Sequence, residues 1–232
     1  AITNYYTRIE KIDNQAFKGT ALTEFTFPER EDGSITLGIN LFEGCRSLTT
    51  VNLSASISSV GSALAKAPVI STITAPETSE FRFNAPLRLM LKVVPNQEGV
   101  YTLESAFQAV PTEEGVFTIP DNIISIGDNA FAGQNGITKI IIPTSVTAIG
   151  ANAFDMCRSL KEVEFLGDEG NPAQVASIGD CAFQHTSSLE TIVIPNSVKS
   201  IGKYAFQYSG VRQITMPNEL TDNTKIQLFA NA

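Results

Sequence analysis

A seven-residue segment ending in Ala-Phe occurs four times in the second half of the chain, as SIGDNAF, AIGANAF, SIGDCAF and SIGKYAF. Its last position can be followed through the whole sequence at intervals of 18 to 29 residues. Self-similarity with a period in the twenties is typical of a solenoid, in which one coil buries its apolar edge only against the next. We therefore expect a column of stacked rings. Its positions are Phe17, Phe42, Ala65, Phe83, Phe107, Phe131, Phe154, Phe183 and Phe206.

A second signature lies between these positions: an apolar residue, a spacer, another apolar residue and then usually proline, as in TIVIP and QITMP. A period of two predicts a strand with one buried face, and proline ends the strand because it cannot donate a ladder hydrogen bond. We predict a mainly β solenoid of about nine coils, with a parallel sheet on one face and turns or short helical segments on the other. The predicted inward pairs are Ile140/Ile142, Val163/Phe165, Ile192/Ile194 and Ile214/Met216.

Glycine recurs four residues before the repeated phenylalanine, and Asp13 takes this position in the first coil. Two interpretations fit a recurring glycine: a bend that needs positive φ, or a close approach of two backbones. An aspartate tolerates the left-handed region better than most residues do. The glycines are Gly38, Gly61, Gly127, Gly150, Gly179 and Gly202.

Composition excludes several classes of protein. The formal net charge of −8 argues against nucleic acid or an anionic membrane as partner, since no basic excess exists. No apolar run approaches the ~18 residues of a membrane span. Cys45, Cys157 and Cys181 are an odd number at wide spacing, so we expect free, buried thiols and no metal site. The chain starts at Ala1 without a visible signal peptide, and we expect a mature or trimmed product.

The repeat is irregular between residues 77 and 118. The coil anchored on Phe83 is short, and LMLKVVP puts Lys92 where other coils carry Ile or Val. Either the register slips, which turns Leu91 and Val93 inward, or the Lys92 stem lies along the core with its ammonium in water, and we favour the slip. Residues 1–232 are predicted to form one domain, with repeats over 9–217, an N-terminal cover at 1–8 and a C-terminal cover at 218–232.

One coil is 29 residues long instead of 23, because LGDEGNPAQVAS (166–177) adds six residues. The insertion could be a binding tip, but we favour a tolerated surface loop, since loops accept insertion at little thermodynamic cost. A calcium site is disfavoured because Ca²⁺ takes six to eight oxygens, and Asp168 and Glu169 do not supply them.

FEGCRSLTTVNL (42–53), FDMCRSLKEVEF (154–165) and IPNSVKSIGKYAF (194–206) resemble the BspA-like leucine-rich repeat. The resemblance implies a right-handed leucine-rich-repeat coil and a place at the surface of, or outside, a bacterium or protist. It further implies adhesion or protein–protein recognition, no enzymatic activity and no cofactor. In this family Cys45 and Cys157 would point inward without bonding to each other, in a position that Gln134 and Thr186 fill in other coils.

Catalysis has little support in the sequence. His185 is the only histidine, and no partner groups for a triad are signalled around it. Glu162 and Glu164 stand two apart on a predicted strand, which favours an exposed acidic strip over a general acid–base pair. We therefore expect no enzyme.

The outward face of the predicted sheet is the candidate binding site, because solenoids present a long repeated surface there. A protein partner is favoured, and a glycan ranks second because this column holds no aromatic ring. β-Propensity alone would also explain the column, and the alternative function is a structural spacer within a larger surface protein. The candidate residues are Thr26, Asn52, Thr74, Thr118, Ile141, Glu164, Val193 and Thr215.

Overall fold

The computed structural model describes residues 9–31, 33–64, 66–67, 70–107, 109–217 and 220. The predicted N-terminal cover, nearly all of the C-terminal cover and the Ala65 position lie outside the described residues. Regular structure in the described part is β-strand, apart from one 3-10 helix at Gly61–Leu64. The strands are β1 (Lys11–Ile12), β2 (Glu24–Thr26), β3 (Thr36–Leu37), β4 (Thr50–Asn52), β5 (Thr72–Thr74), β6 (Phe81–Asn84), β7 (Leu89–Val93), β8 (Tyr101–Ser105), β9 (Val116–Thr118), β10 (Ile123–Ile126), β11 (Lys139–Ile142), β12 (Ala148–Ile149), β13 (Glu162–Phe165), β14 (Ser177–Ile178), β15 (Thr191–Val193), β16 (Ser200–Ile201) and β17 (Gln213–Thr215).

The chain divides into two compact units. Unit 1 lies within Ala1–Val93 and Glu104–Gln108, and unit 2 within Val94–Leu103 and Ala109–Ala232. Both are built from solenoid coils with parallel strands, and the predicted β solenoid of about nine turns is confirmed. That residues 1–232 form one domain stays a prediction.

Unit 2 contains two series of parallel strands. The apolar-spacer-apolar segments form the front strands, paired as β9-β11-β13 and as β15-β17. Segments just before the glycine position form the back strands, paired as β8-β10-β12-β14-β16. The sequence predicted only the front series, because two-residue strands are too short to display a period. Their inward residues are Ile126, Ile149, Ile178 and Ile201, all buried.

Unit 1 has front strands paired as β2-β4-β5 and back strands paired as β1-β3. Its irregular part is an antiparallel hairpin of β6 and β7 and not a shortened coil. Leu91 is buried as predicted, but Val93 is only half-buried. Lys92 pairs with Glu80 at 3.2 Å, with its ammonium 5.9 Å from the centre of the Phe81 ring. The slip of register was therefore the wrong account, because the chain reverses here.

The predicted column of rings is confirmed within each unit. In unit 2 the rings of Phe131, Phe154, Phe183 and Phe206 are buried and nearly parallel, with centroids 5.1 to 5.4 Å apart. In unit 1 the pairs Phe17–Phe42 and Phe83–Phe107 stack at 5.4 and 5.9 Å. Phe83 thus keeps its ring position although it lies in the hairpin.

Close packing explains the repeated glycine. Gly38, Gly150, Gly179 and Gly202 do not have positive φ. A Cβ on any of them would lie 2.3 to 2.6 Å from a backbone nitrogen of the preceding coil. Gly61 is different, with φ of 41°, and a Cβ there would meet only the Ser59 hydroxyl within 4 Å, at an ordinary contact distance of 3.6 Å. The bend interpretation is therefore wrong for these four coils.

Left-handed residues instead flank six phenylalanines of the column, two positions before the ring and two after it, but they do not flank Phe83 or Phe107. Their N–H groups point to the next coil: Asn152, Phe154 and Met156 donate to carbonyls of the following coil at 2.8 to 3.0 Å. We call the segment from two residues before to two residues after such a phenylalanine the corner of its coil. The coils are thus joined by backbone hydrogen bonds at this corner. The left-handed pairs of unit 2 are Asn129/Gly133, Asn152/Met156, Cys181/His185 and Tyr204/Tyr208.

Candidate protein-binding face

The three candidate residues of unit 1 lie side by side on the front strands. Thr26, Asn52 and Thr74 are aligned by the strand register. Asn52 Nδ2 donates to Thr26 Oγ1 at 3.0 Å and to Glu24 Oε1 at 2.6 Å, while Thr74 Oγ1 donates to Asn52 Oδ1 at 2.6 Å. Their polar groups therefore satisfy one another across the coils.

The five candidates of unit 2 fall into two groups. Thr118, Ile141 and Glu164 are aligned on β9-β11-β13, and Val193 is aligned with Thr215 on β15-β17. Ile141 is half-buried, whereas 64% of Val193 is exposed. The structure brings the members of each group together but places the two groups in separate sheets.

Lys139 organises the acidic residues of the front face. Its Nζ lies 2.8 Å from Glu162 Oε1 and 2.6 Å from Glu164 Oε2. The hydrogen bonds to Glu162 and then to Glu164 raise the pKa of Lys139, although the group is at the surface. Glu162 and Glu164 therefore form an exposed ion-pair network with Lys139.

The front of unit 2 opens between β13 and β15, while the back strands stay continuous across the same two coils. A groove lies along this gap as three adjoining depressions of about 530, 280 and 590 Å³. The first depression is lined by Lys161, Ser187, Ser188, Glu190 and Thr191. The second is lined by Glu162, Val163, Glu164, Phe165, Val193 and Pro195. The third extends from Phe165 under the inserted loop to Pro195, Asn196 and Ser197.

Sequence reasoning missed this groove and the residue at its centre. Phe165 is half-buried, whereas its equivalents in the neighbouring coils, Ile142 and Ile194, are buried. Leu166 follows Phe165 where those coils have proline, and its N–H continues the pairing to Ile142 at 2.8 Å. The missing proline and the six-residue insertion were the available signals.

The inserted loop is closed by one of its own carboxylates. Asp168 Oδ1 accepts hydrogen bonds from the N–H groups of Gly170 and Asn171, both at 2.8 Å. The loop returns to the core through Val175, which is buried. Among the described residues, no group of three His, Cys, Asp or Glu side chains is placed to hold a metal ion. Asp168 thus has a structural part in the wall of the groove.

The cysteines have different environments. The thiols of Cys45 and Cys157 are buried and donate to the carbonyls of Phe17 and Phe131, at 2.9 and 3.0 Å. Burial raises the pKa of Cys157 to about 12. Cys181 is free but only half-buried, so the expectation of three buried thiols is wrong for this residue. Burial and then the nearby Asp180 carboxylate raise its pKa.

His185 packs between coils. Its Nδ1 lies 3.0 Å from Asp155 Oδ1, and its ring stacks on Tyr208 with centroids 5.0 Å apart. These contacts place it at the corner beside the phenylalanine column.

No helix in the described part is long and apolar enough to cross a bilayer.

Several solved structures have a similar fold. Among solved structures, a leucine-rich repeat protein from Eubacterium ventriosum is similar at a TM-score of 0.60 and 20% identity, over 91% of this chain and 59% of that chain. The pneumococcal vaccine antigen PcpA is similar at 0.58 and 16%, over 91% and 61%. A leucine rich cell surface protein from Faecalibacterium prausnitzii is similar at 0.54 and 22%, over 88% and 44%. The chain thus spans about half the length of these proteins, with which it shares the fold.

No curated protein matches the sequence. The family described as BspA type leucine rich repeat region, in six copies, matches residues 3–85 and 103–232. These ranges cover most of the chain and include the front strands and the phenylalanine corners described above. The chain belongs to the BspA-type leucine-rich repeat family.

Proposed function

We infer that this chain is a binding module of a secreted or cell-surface bacterial protein and that it recognises a protein partner through the front face of unit 2. The depression at the centre of that face carries the proposal. Its lining combines the exposed Val193 with Phe165 and Pro195, beside the carboxylates of Glu162 and Glu164. Apolar side chains with a polar rim are typical of protein-recognition surfaces.

The proposed surface location is supported by what two proteins of similar structure are. The similar protein from Faecalibacterium prausnitzii is a cell surface protein, and the pneumococcal relative is a vaccine antigen. A net charge of −8 disfavours nucleic acid as the partner. Adhesion to a host or microbial protein is the role that we propose for the module.

A non-enzymatic role is part of this proposal. Nδ1 of His185 is engaged by Asp155, and the imidazole ring is stacked on Tyr208. The three groups lie in successive coils at equivalent or adjacent positions of the repeat. Their contacts are accounted for by packing at the corner of the solenoid.

The spacer role is our second candidate, and it suits unit 1. The front residues Thr26, Asn52 and Thr74 bond to one another across the coils. Polar groups that are satisfied within the face contribute little to binding, because a partner would have to replace those bonds. In this view unit 1 is a spacer and unit 2 carries the recognition surface.

The test measures binding of the full chain to immobilised extracellular matrix proteins and bacterial surface proteins by surface plasmon resonance. The variant Val193→Asp places a charge in the depression, and Thr72→Asp places the same side chain on an exposed strand position of unit 1. We expect a protein partner whose binding is lost with Val193→Asp and kept with Thr72→Asp. Binding that is equal for both variants, or no binding to any protein, would contradict the proposal.

A further inference from the structure

We propose that the groove between β13 and β15 holds an extended segment of the partner protein, with an apolar side chain over Phe165 and a lysine or arginine at the Glu169 end. This inference rests on the proposed function and names the chemistry of its partner. It commits to a polypeptide segment because the groove follows two strands and has an apolar centre between two ends that carry charged side chains.

The length of the groove fits a short extended peptide. The lining runs from Lys161, just before β13, to Gly167, just after it. At the ~3.3 Å rise of an extended chain, the seven residues from 161 to 167, four of them in β13, span about 23 Å, which an extended peptide of about seven residues would match. A groove parallel to strands also suits an extended chain, whose side chains alternate between groove and solvent.

The groove has a fixed shape because its opening lies only at the front. Behind it, β12, β14 and β16 remain paired, and the rings of Phe154 and Phe183 stack at 5.1 Å as in the adjacent coils. The inserted loop forms one wall through Pro172 and Ala173. Proline has little backbone freedom to lose, so this wall is partly organised before a partner binds.

The central depression selects an apolar side chain. Val163, Phe165, Val193 and Pro195 supply four of its six lining residues. Val193 exposes 64% of its surface, so covering it would remove apolar area from water. An aliphatic or aromatic side chain of the partner meets this requirement, and a sugar ring meets it less well.

The charges along the groove select a cation. Carboxylates outnumber ammonium groups five to one in its lining. Lys139 already pairs with Glu162 and Glu164 in the middle. At the loop end Asp168 accepts the N–H groups of Gly170 and Asn171, whereas the side chain of Glu169 makes no hydrogen bond or ion pair among the described residues. A lysine or arginine of the partner beside Glu169 would complement this end.

The probe is a random octapeptide library displayed on phage and selected against the full chain. We expect enriched peptides with lysine or arginine two to four residues from a large apolar residue. The dissociation constant of such a peptide should rise about tenfold with Glu169→Lys, and it should rise with salt. The matched control Glu113→Lys reverses an exposed carboxylate outside the lining and should leave the dissociation constant unchanged. Melting curves of both variants verify that they are folded.

Several outcomes would overturn the groove proposal: no enriched peptide, enriched peptides without a cation, or equal binding by the Glu169→Lys variant. A protein partner that binds Glu169→Lys normally but is lost with Thr215→Asp, outside the lining, would overturn the groove and leave the front-face function standing. If peptides are enriched but none of the immobilised matrix or bacterial surface proteins binds, the result would support the groove and contradict the proposed adhesion.

Discussion

The thiol of Cys157 donates a hydrogen bond to the carbonyl oxygen of Phe131, one coil earlier, at 3.0 Å. In the next coil Thr186 takes the same position, and its hydroxyl donates to the carbonyl of Phe183 at 2.7 Å. Both donors reach a phenylalanine carbonyl, Cys157 that of the preceding coil and Thr186 that of its own coil, so the position does not require sulfur. In the coil of Phe131 the thiol adds a second hydrogen bond to a carbonyl that also accepts the N–H of Gln134 at 3.0 Å, where the chain turns after the phenylalanine.

We expect Cys157→Ser to keep most of the stability and Cys157→Ala to lose more. The hydroxyl of serine can still donate to the Phe131 carbonyl, while alanine removes this hydrogen bond, worth about 0.5–1.5 kcal/mol, and leaves that carbonyl with only the N–H of Gln134 at 3.0 Å. Urea denaturation of the two variants measures the difference in the free energy of unfolding. Equal stability of the two variants would show that the hydrogen bond is not needed.

The pKa of Cys157 also predicts a dependence of stability on alkaline pH. Burial raises the folded-state pKa from 9.0 to about 12, so the unfolded chain loses this proton at lower pH than the folded chain does. The contribution of the protonated Cys157 thiol to the free energy of unfolding is thus fully present below pH 9 and is lost as pH rises from 9 to about 12. Urea denaturation at a series of pH values should show a smaller loss of stability for Cys157→Ser than for the unchanged chain. Parallel pH profiles would contradict the buried thiol.

Gly150→Ala is expected to destabilise unit 2 by about 2–4 kcal/mol, because its Cβ would overlap backbone that cannot move away easily. The new atom would lie 2.6 Å from the nitrogen of Asp128 and from the carbonyl carbon of Gly127. Gly136→Ala is the control, since a Cβ there meets nothing within 4 Å. Thermal unfolding should separate the two variants, and similar melting temperatures would mean that the coils are further apart than described.

Met156→Gly is expected to stabilise the protein by about 0.5–1 kcal/mol, because a left-handed conformation costs a non-glycine residue more than glycine loses in chain entropy. Met156 has φ of 59° and is 44% exposed, and Gly133 takes the same position one coil earlier. As a control, Ala132→Gly changes the residue directly before Gly133, whose φ is not positive, and this variant should be less stable than the unchanged chain. Stabilisation of both variants or of neither would contradict the strain at Met156.

The repeated features of the fold could be predicted because apolar spacing determines which side chains point inward. Phe154 and Ile140 lie where the pattern places them, and Glu164 lies on the outward column. The glycine position was ambiguous because both a left-handed bend and a close contact require the loss of Cβ. The hairpin at Phe83 was missed since the short interval of 18 residues before this ring was interpreted as a shortened coil, and a period does not reveal a change of strand direction.

The groove could not be predicted from the outward column alone. Val193 was identified, but Phe165 was assigned to the interior because its place in the period is an inward one. Its partial exposure arises from the separation of β13 and β15, which depends on backbone pairing between coils. The length of the insertion indicated a loop and did not indicate what the loop does to the adjoining strands.

The corner hydrogen bonds run from the N–H groups of Asn152, Phe154 and Met156 to carbonyls of the following coil, so backbone atoms supply both sides of each bond. Side chains on the front strands are therefore free to diverge without loosening the stack. Such a scaffold can exchange one ligand for another through a few surface substitutions, which makes the front of unit 2 a suitable place to graft new recognition sequences.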